Sequence, residues 1–263
     1  MTPCVSQGDA PPAYSPDPTQ NTQFAMSTSS SDSNADDKYA FLKSFDTIFL
    51  IDDSGSMRGD SWLATRKALE KITPICTERD ADGIDIYFLN RPDSHTYRNV
   101  KAADTVISIF ETVRPSGATP TGQQLQKILT PYLQRYEKKP ETEKPINVIV
   151  ITDGEPSDDV AAPIIACAKT LDRLNAPAWQ VGIQFFQVGT DLDARAALKE
   201  LDDGLREASG DGELRDIVDT VPFTDGNDTE LTGIGILKVG RTSGQRDHYL
   251  VVLTYYSRSC SAQ

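Results

Sequence analysis

Three short segments of the chain are rich in side chains that carry oxygen atoms. They are Asp52-Asp53-Ser54-Gly55-Ser56, Gly117-Ala118-Thr119-Pro120-Thr121 and Thr152-Asp153-Gly154-Glu155. Their hydroxyl and carboxylate groups are hard ligands, which suit Mg²⁺, Ca²⁺ or Mn²⁺, and they include no thiol or imidazole that would favour a softer metal. Together the three segments predict a divalent-cation site.

The residues predicted to hold the cation are Asp52, Ser54, Ser56, Thr119 and Asp153. Gly55 permits a tight turn in which the hydroxyls on either side of it face one point. The hydroxyls balance little of the cation's charge, and the two carboxylates act directly or through water, so the metal stays electrophilic. Such a site leaves room for an external acidic ligand. A Glu or Asp of a partner protein would therefore complete the octahedron.

The segments that position these residues alternate between two patterns. Short apolar runs such as FDTIFLID (45–52) and INVIVITD (146–153) end in carboxylates and are typical of strands buried on both faces of a parallel sheet. Other strands are expected at 83–90, 180–188 and 217–223, and helices at 61–78, 103–112, 121–137, 159–174 and 193–208. This alternation predicts an α/β fold, with a doubly wound, mostly parallel sheet flanked by helices. Ligands of such sheets bind beyond the carboxyl ends of the strands.

Two local expectations accompany this fold. The segment SHTYRNVK (94–101) could form a short antiparallel edge strand. In the first helix, Leu63 is expected to face inward together with Leu69, Ile72 and Cys76.

The three oxygen-rich segments, taken in order, resemble the von Willebrand factor A (VWA) domain and its metal-ion-dependent adhesion site. Asp52, Ser54 and Ser56 match the family's DxSxS string, Thr119 is the first threonine of GxTxT, and Asp153 in VITDG matches the distal aspartate. The resemblance covers about 45–223. It implies a VWA, Rossmann-like fold, a Mg²⁺ (or Mn²⁺ or Ca²⁺) cofactor and a protein ligand. The string FDTIFLIDDSGSM is similar to intracellular VWA proteins of fungi.

The chain divides by composition into three parts. Residues 1–38 are rich in Pro, Ser and Asp and predict a disordered tail, because they have too little apolar surface to offset the entropy of ordering. Residues 39–237 are expected to form the VWA domain. Residues 238–263 depart from the family pattern and are expected to be a divergent C-terminal segment. In the tail, Pro11-Pro12-Ala13-Tyr14 is a PPxY string of the kind that WW domains bind.

Charge and composition exclude several classes of partner. The net charge of −13 disfavours nucleic acid and anionic membranes, which reward Lys and Arg. No apolar stretch reaches the length of a membrane span, and the first residues do not form a secretory signal, so a cytoplasmic location is expected. Cys76 and Cys167 are expected to be reduced thiols in the core. The string Arg58-Gly59-Asp60 is interpreted as a coincidence, with Asp60 beginning the first helix.

Three functions are consistent with these patterns. The first is a cation-dependent protein-binding module without catalytic activity. The second is a Mg²⁺-dependent hydrolase of the haloacid-dehalogenase type, although Ser54 stands where those enzymes have a second aspartate. The third is an adaptor that acts through the PPxY tail. Asp53 and Glu155 are expected to tune the charge of the site or to face solvent rather than to bind metal.

Overall fold

A computed structural model describes residues 40–209 and 214–221 of the chain. Its centre is a five-stranded sheet in which all neighbouring strands are parallel, in the order β2-β1-β3-β4-β5. The strands are β1 (Asp46–Ile51), β2 (Ile84–Phe88), β3 (Ile146–Thr152), β4 (Val181–Gln187) and β5 (Val218–Val221). The helices are α1 (Asp60–Thr77), α2 (Ala103–Thr112), α3 (Thr121–Lys138), α4 (Ala161–Arg173) and α5 (Leu192–Ser209).

The central strands are apolar because both of their faces are covered. All seven residues of β3 are buried, and β1 is buried at every position after Asp46. One face of the sheet packs against α3, α4 and α5 through residues such as Leu125, Ile164 and Leu198. The other face packs against α1 and α2 through residues such as Leu69 and Val106. The doubly wound α/β fold predicted from the sequence is therefore confirmed.

The prediction of an antiparallel edge strand at 94–101 is wrong for most of this segment. The structure has a short 3₁₀ turn at His95–Tyr97, and the only antiparallel pairing described there joins Val100 to Ile84. The Ser94 side chain accepts a hydrogen bond from the Thr96 amide and stabilises the turn. Asn99 then adopts a φ of 51°, which no extended strand has. These local bonds replace the ladder that a strand would form.

The inward placement expected for Leu63 is also wrong. Its exposed fraction is 40%, whereas Leu69, Ile72 and Cys76 are buried as expected. Leu63 precedes Ile72 by nine residues, about two and a half helical turns, so the two side chains point to opposite sides of α1. Thr65 occupies the inward position instead.

The predictions for the cysteines and for membrane spans concern described residues, whereas those for the two terminal segments do not. Cys76 and Cys167 are buried free thiols, as expected. None of the helices in 40–209 is long and apolar enough to cross a membrane. The predicted tail (1–38), its Pro11–Tyr14 string and the segment 238–263 lie outside the described residues.

Candidate metal centre

The DxSxS segment begins where β1 ends. The Asp52 amide still pairs with Ile151 of β3 at 2.9 Å, and its side chain then organises the turn. One carboxylate oxygen accepts a hydrogen bond from the Ser54 amide at 2.8 Å, and the other accepts one from the Thr152 hydroxyl at 2.7 Å. Asp52 is fully buried and therefore fixes the turn against the end of β3.

The two serine hydroxyls and the distal aspartate form one chain of contacts. The Oγ atoms of Ser54 and Ser56 are 2.9 Å apart, and the Ser56 hydroxyl donates to Asp153 Oδ1 at 2.7 Å. Ser56 and Asp153 are far apart in sequence and come together because β1 and β3 are neighbours in the sheet. Ser54 and Asp153 are buried, whereas Ser56 between them is exposed, so this group of oxygen atoms lies at the surface.

Thr119 is brought to this edge by backbone contacts of its loop. The Gly55 amide donates to Gly117 O at 3.2 Å, and the Ser116 amide donates to Asp53 O at 2.6 Å. On the other side, the Ser157 amide donates to Thr119 O at 2.9 Å. The loop that carries Thr119 is thereby held between the segments that follow β1 and β3, and Thr119 itself is buried.

Asp53 has a structural role that the sequence did not reveal. It is fully buried, and its Oδ1 accepts hydrogen bonds from the backbone amide of Asn90 at 2.7 Å and from the side-chain amide at 3.1 Å. The side-chain amide of Asn90 also donates to Ala118 O at 2.8 Å. Asn90 therefore joins the DxSxS segment to the Thr119 loop. Of the two roles expected for Asp53 and Glu155, burial excludes exposure to solvent for Asp53, whereas Glu155 is exposed.

A second unforeseen residue, Asp158, caps the helix that follows Thr119. Its two carboxylate oxygens accept hydrogen bonds from the amides of Gly122 and Gln123, at 2.9 and 2.8 Å, in the first turn of α3. A carboxylate is favourable there because the helix N-terminus carries partial positive charge. The two segments are 36 residues apart, so no local pattern in the sequence could have indicated this pairing.

The electrostatics of the centre favour a bound cation. Burial raises the pKa of the Asp52 carboxyl, and the charge of Asp53 adds to the effect, although hydrogen bonds from Thr152 and Ser54 oppose it. Burial likewise raises the pKa of Asp153, and the charge of Asp52 contributes in the same direction. Among the described residues, no basic side chain forms an ion pair with Asp52 or Asp153. Two buried carboxylates and the hydroxyls of Ser54 and Ser56, without a basic partner, fit a hard divalent cation.

The Arg58-Gly59-Asp60 string has structural roles. The Arg58 guanidinium donates through Nε to Pro115 O at 2.9 Å, and Asp60 is the first residue of α1. Gly59 adopts a φ of 92°, a conformation that glycine reaches without strain.

A separate acidic cluster lies at the opposite edge of the sheet, where β1 begins. One carboxylate oxygen each from Asp46, Asp80 and Asp82 lies within 4.8 Å of the others, so these groups could also hold a metal ion. The Lys144 ammonium is 2.8 Å from Asp46 and 3.0 Å from Asp80 and already offsets part of their charge. The cluster is a competitor that a metal-binding experiment has to separate from the centre around Asp52.

One of three comparisons with known proteins identifies the family of this chain. The sequence-family model of the von Willebrand factor type A domain matches residues 46–234 of this chain. A comparison with curated proteins found no match. Among solved structures, the manganese-loaded TRAP protein of Plasmodium vivax is 16% identical with a TM-score of 0.39, over 68% of this chain and 69% of that one. Proximal thread matrix protein 1 from the mussel byssus is 16% identical with a TM-score of 0.39, over 63% of this chain and 47% of that one. Because the family model matches well over half of the residues of this chain, the chain belongs to the von Willebrand factor type A domain family.

Proposed function

We propose that this protein is a cation-dependent protein-binding module. VWA domains are typically metal-dependent interaction modules rather than enzymes, and the family match supports this function. The observation that carries the proposal is the continuous set of oxygen atoms formed by Ser54, Ser56 and Asp153 beside the buried Asp52. We propose Mg²⁺ as the first candidate cation, with Mn²⁺ and Ca²⁺ as alternatives.

The proposed ligands are Asp52, Ser54, Ser56, Thr119 and Asp153. The two serines and Thr119 would supply neutral hydroxyls, and the two aspartates would supply negative charge directly or through water. When bound, the cation would act as a Lewis acid that accepts one more oxygen ligand. Ser56 is exposed beside the buried ligands, which supports access from solvent. A Glu or Asp side chain of a partner protein would occupy that position.

We also propose that the site performs no chemical turnover. The described part of the chain holds a single histidine, His95, which lies in the 3₁₀ turn after β2 and not among the proposed ligands. A Mg²⁺-dependent hydrolase is the competing proposal. If the protein released phosphate from a generic phosphomonoester, and if Asp52→Asn abolished that activity, the binding-module proposal would be wrong.

Two finer proposals rest on the sequence alone. We propose a cytoplasmic location and a WW-domain contact through Pro11–Tyr14. Deletion of residues 1–38 tests the contact, because it should abolish binding of a WW domain and leave cation-dependent binding intact.

The central experiment measures thermal unfolding of the full chain in EDTA, Mg²⁺, Mn²⁺ and Ca²⁺. A cation that binds only the folded state stabilises it by about 3 kcal/mol at a hundredfold excess over its Kd. That corresponds to a rise in Tm of roughly 5–10 °C for a domain of this size. We expect Asp52→Asn to remove most of the rise, because the variant keeps the shape of the side chain and loses its charge.

Asp82→Ala is the matched control. Asp82 belongs to the acidic cluster at the opposite edge of the sheet and is exposed. If the rise survives in Asp82→Ala and disappears in Asp52→Asn, the cation binds at the proposed centre. The reverse pattern would assign the cation to the opposite edge and overturn the proposal. No rise with any cation would mean that the motif does not bind metal.

A further inference from the structure

The edge of the sheet that carries the proposed metal centre has an uneven distribution of charge. Because all five strands are parallel, the segments that follow them meet at this one edge. Three arginines, Arg58, Arg91 and Arg114, lie after β1, after β2 and before α3. We call this group the arginine side. The segments after β3 and β4, at 153–160 and 188–191, instead contain only acidic side chains among their charged residues, namely Asp153, Glu155, Asp158, Asp159 and Asp191, and Asp193 follows in the first turn of α5. We call this group the carboxylate side.

The arginine side is held together by the loop that leads to Thr119. Arg91 donates through Nη2 to Arg114 O at 2.5 Å, and Arg58 donates through Nε to Pro115 O at 2.9 Å. Arg91 also lies 3.6 Å from the buried carboxylate of Asp53, so its position is fixed next to the centre. Arg58 and Arg114 are exposed. Exposed carboxylates also lie near these arginines in sequence: Asp60 begins α1, Glu111 is in α2, and Asp93, in the loop after β2, pairs with Arg98.

The carboxylate side contains groups of two kinds. Asp158, Asp159 and Asp191 accept hydrogen bonds from amides at or near the starts of α3, α4 and α5, where helix dipoles offset part of their charge. Glu155 and Asp193 are exposed. The strand order puts β2 and β1 on one flank and β3 and β4 on the other. The proposed metal centre lies at the boundary, because four of its five ligands follow β1 or β3, and Thr119 is in the loop before α3.

We infer that this surface selects a partner segment of matching charge order. The segment has its metal-binding Asp or Glu in the middle, further acidic residues over Arg58, Arg91 and Arg114, and a basic residue over Glu155 and Asp193. The inference rests on the proposed function and specifies its partner. In a chain with a net charge of −13, three neighbouring arginines are an exception that repels basic segments and attracts acidic ones. Charge complementarity of this kind sets specificity and association rate more than affinity.

The test uses peptides selected on the protein itself. A random peptide library is displayed, captured on the Mg²⁺-loaded full chain and eluted with EDTA, so that only cation-dependent binders are recovered. We expect the recovered peptides to share a central Asp or Glu with acidic residues on one side and a basic residue on the other. A synthetic peptide with that consensus should bind Arg114→Glu about tenfold more weakly than the parent protein, because like charges then face each other.

Lys138→Glu is the matched control, since it makes the same change in net charge at the far end of α3 on an exposed residue. It should leave the affinity within about twofold of the parent. Recovered peptides with a central acid and no order in the flanking charges would overturn this inference and leave the proposed function standing. Equal losses in both variants would also overturn it, because they would reflect net charge alone. If EDTA released no peptides, the proposed function itself would fail, and the inference with it.

Discussion

Asp52 and Asp53 are adjacent in sequence and serve different purposes because their side chains point to different neighbours. The Asp52 carboxylate accepts hydrogen bonds from Ser54 and Thr152, beside the serine hydroxyls. The Asp53 carboxylate accepts hydrogen bonds from Asn90, which follows β2. Both are fully buried, so each depends on donors to stay ionised. At the scale of single residues, the hydrogen-bond partners hold Asp52 beside the proposed serine ligands and Asp53 beside Asn90.

Replacement of Asn90 tests the link between the two loops. Asn90→Ala removes the side-chain donor to both Asp53 Oδ1 and Ala118 O and keeps only the backbone bond to Asp53. We expect the free energy of unfolding to fall by about 1–2 kcal/mol, because a buried carboxylate loses a donor. We also expect weaker Mg²⁺ binding, because the Thr119 loop is less firmly held.

Urea unfolding and calorimetric titration with Mg²⁺ measure the two effects. Gln126→Ala, which removes an exposed amide from α3, is the control and should change neither quantity. Unchanged stability and Mg²⁺ affinity in Asn90→Ala would show that the Asn90 side chain does not connect the loops.

The start of α3 shows how one helix is positioned by a distant segment. Gly122 lies in its first turn, and a Cβ atom there would come within 2.1 Å of the Asp159 carbonyl oxygen. That contact is with backbone and cannot be relieved by a side-chain rotation. The close approach also allows the Asp158 carboxylate to accept hydrogen bonds from the amides of Gly122 and Gln123. At the scale of elements, α3 and the segment after β3 therefore form a single unit that carries Thr119.

Two glycine-to-alanine replacements separate this packing from helix propensity. In a helix, alanine is ordinarily more stable than glycine by up to about 1 kcal/mol. We expect that gain for Gly204→Ala in α5, where nothing lies within 4 Å of the added atom. For Gly122→Ala we expect a loss of about 1–3 kcal/mol, because the atom overlaps backbone. Unfolding in urea gives both values, and a gain at Gly122 would contradict the close approach of the two segments.

At the scale of the whole molecule, the parallel sheet gathers acidic side chains at one edge, where Asp53 lies beside Arg91 while Asp52 and Asp153 have no ion pair among the described residues. Burial raises the pKa of Asp52, Asp53 and Asp153 above the ordinary value of 3.8. A carboxyl group with a raised pKa in the folded state holds its proton more tightly there than in the unfolded chain. Its contribution to stability is full below pH 3.8 and is lost as the pH rises through the raised pKa.

A divalent cation should compensate for that loss. Because the cation binds the ionised carboxylates, its stabilising effect should grow as the pH rises above 3.8. We expect the rise in Tm caused by Mg²⁺ to be larger at pH 7 than near pH 4.5, and to be small at both values in Asp52→Asn. Thermal unfolding across this pH range measures the effect. An equal rise at both values in the parent protein would show that the cation does not compete with protons at this centre.

The sequence by itself determined the layers of the fold and the five proposed ligands. Apolar strand runs alternate with amphipathic helices, so the α/β class and all five helices follow from local periodicity. The ligand types follow from the chemistry of the side chains, and the order of the three segments indicated the family. Leu63 was predicted wrongly because nine residues of helix put it opposite Ile72, and the segment 94–101 because a side-chain hydrogen bond at Ser94 stabilises a 3₁₀ turn in place of a strand.

Only the tertiary structure decided which residues hold the centre in place. Asn90 and Asp158 act on segments 37 and 36 residues away, and pairing over such distances leaves no periodic signal in the sequence. The same holds for the charge order of the edge that carries the proposed metal centre, because that order depends on which strands are neighbours. The strand order β2-β1-β3-β4-β5 puts Arg91 and Glu155 on opposite flanks of Asp52. Local sequence encodes the strands and the ligands, whereas packing of distant segments determines which of them meet.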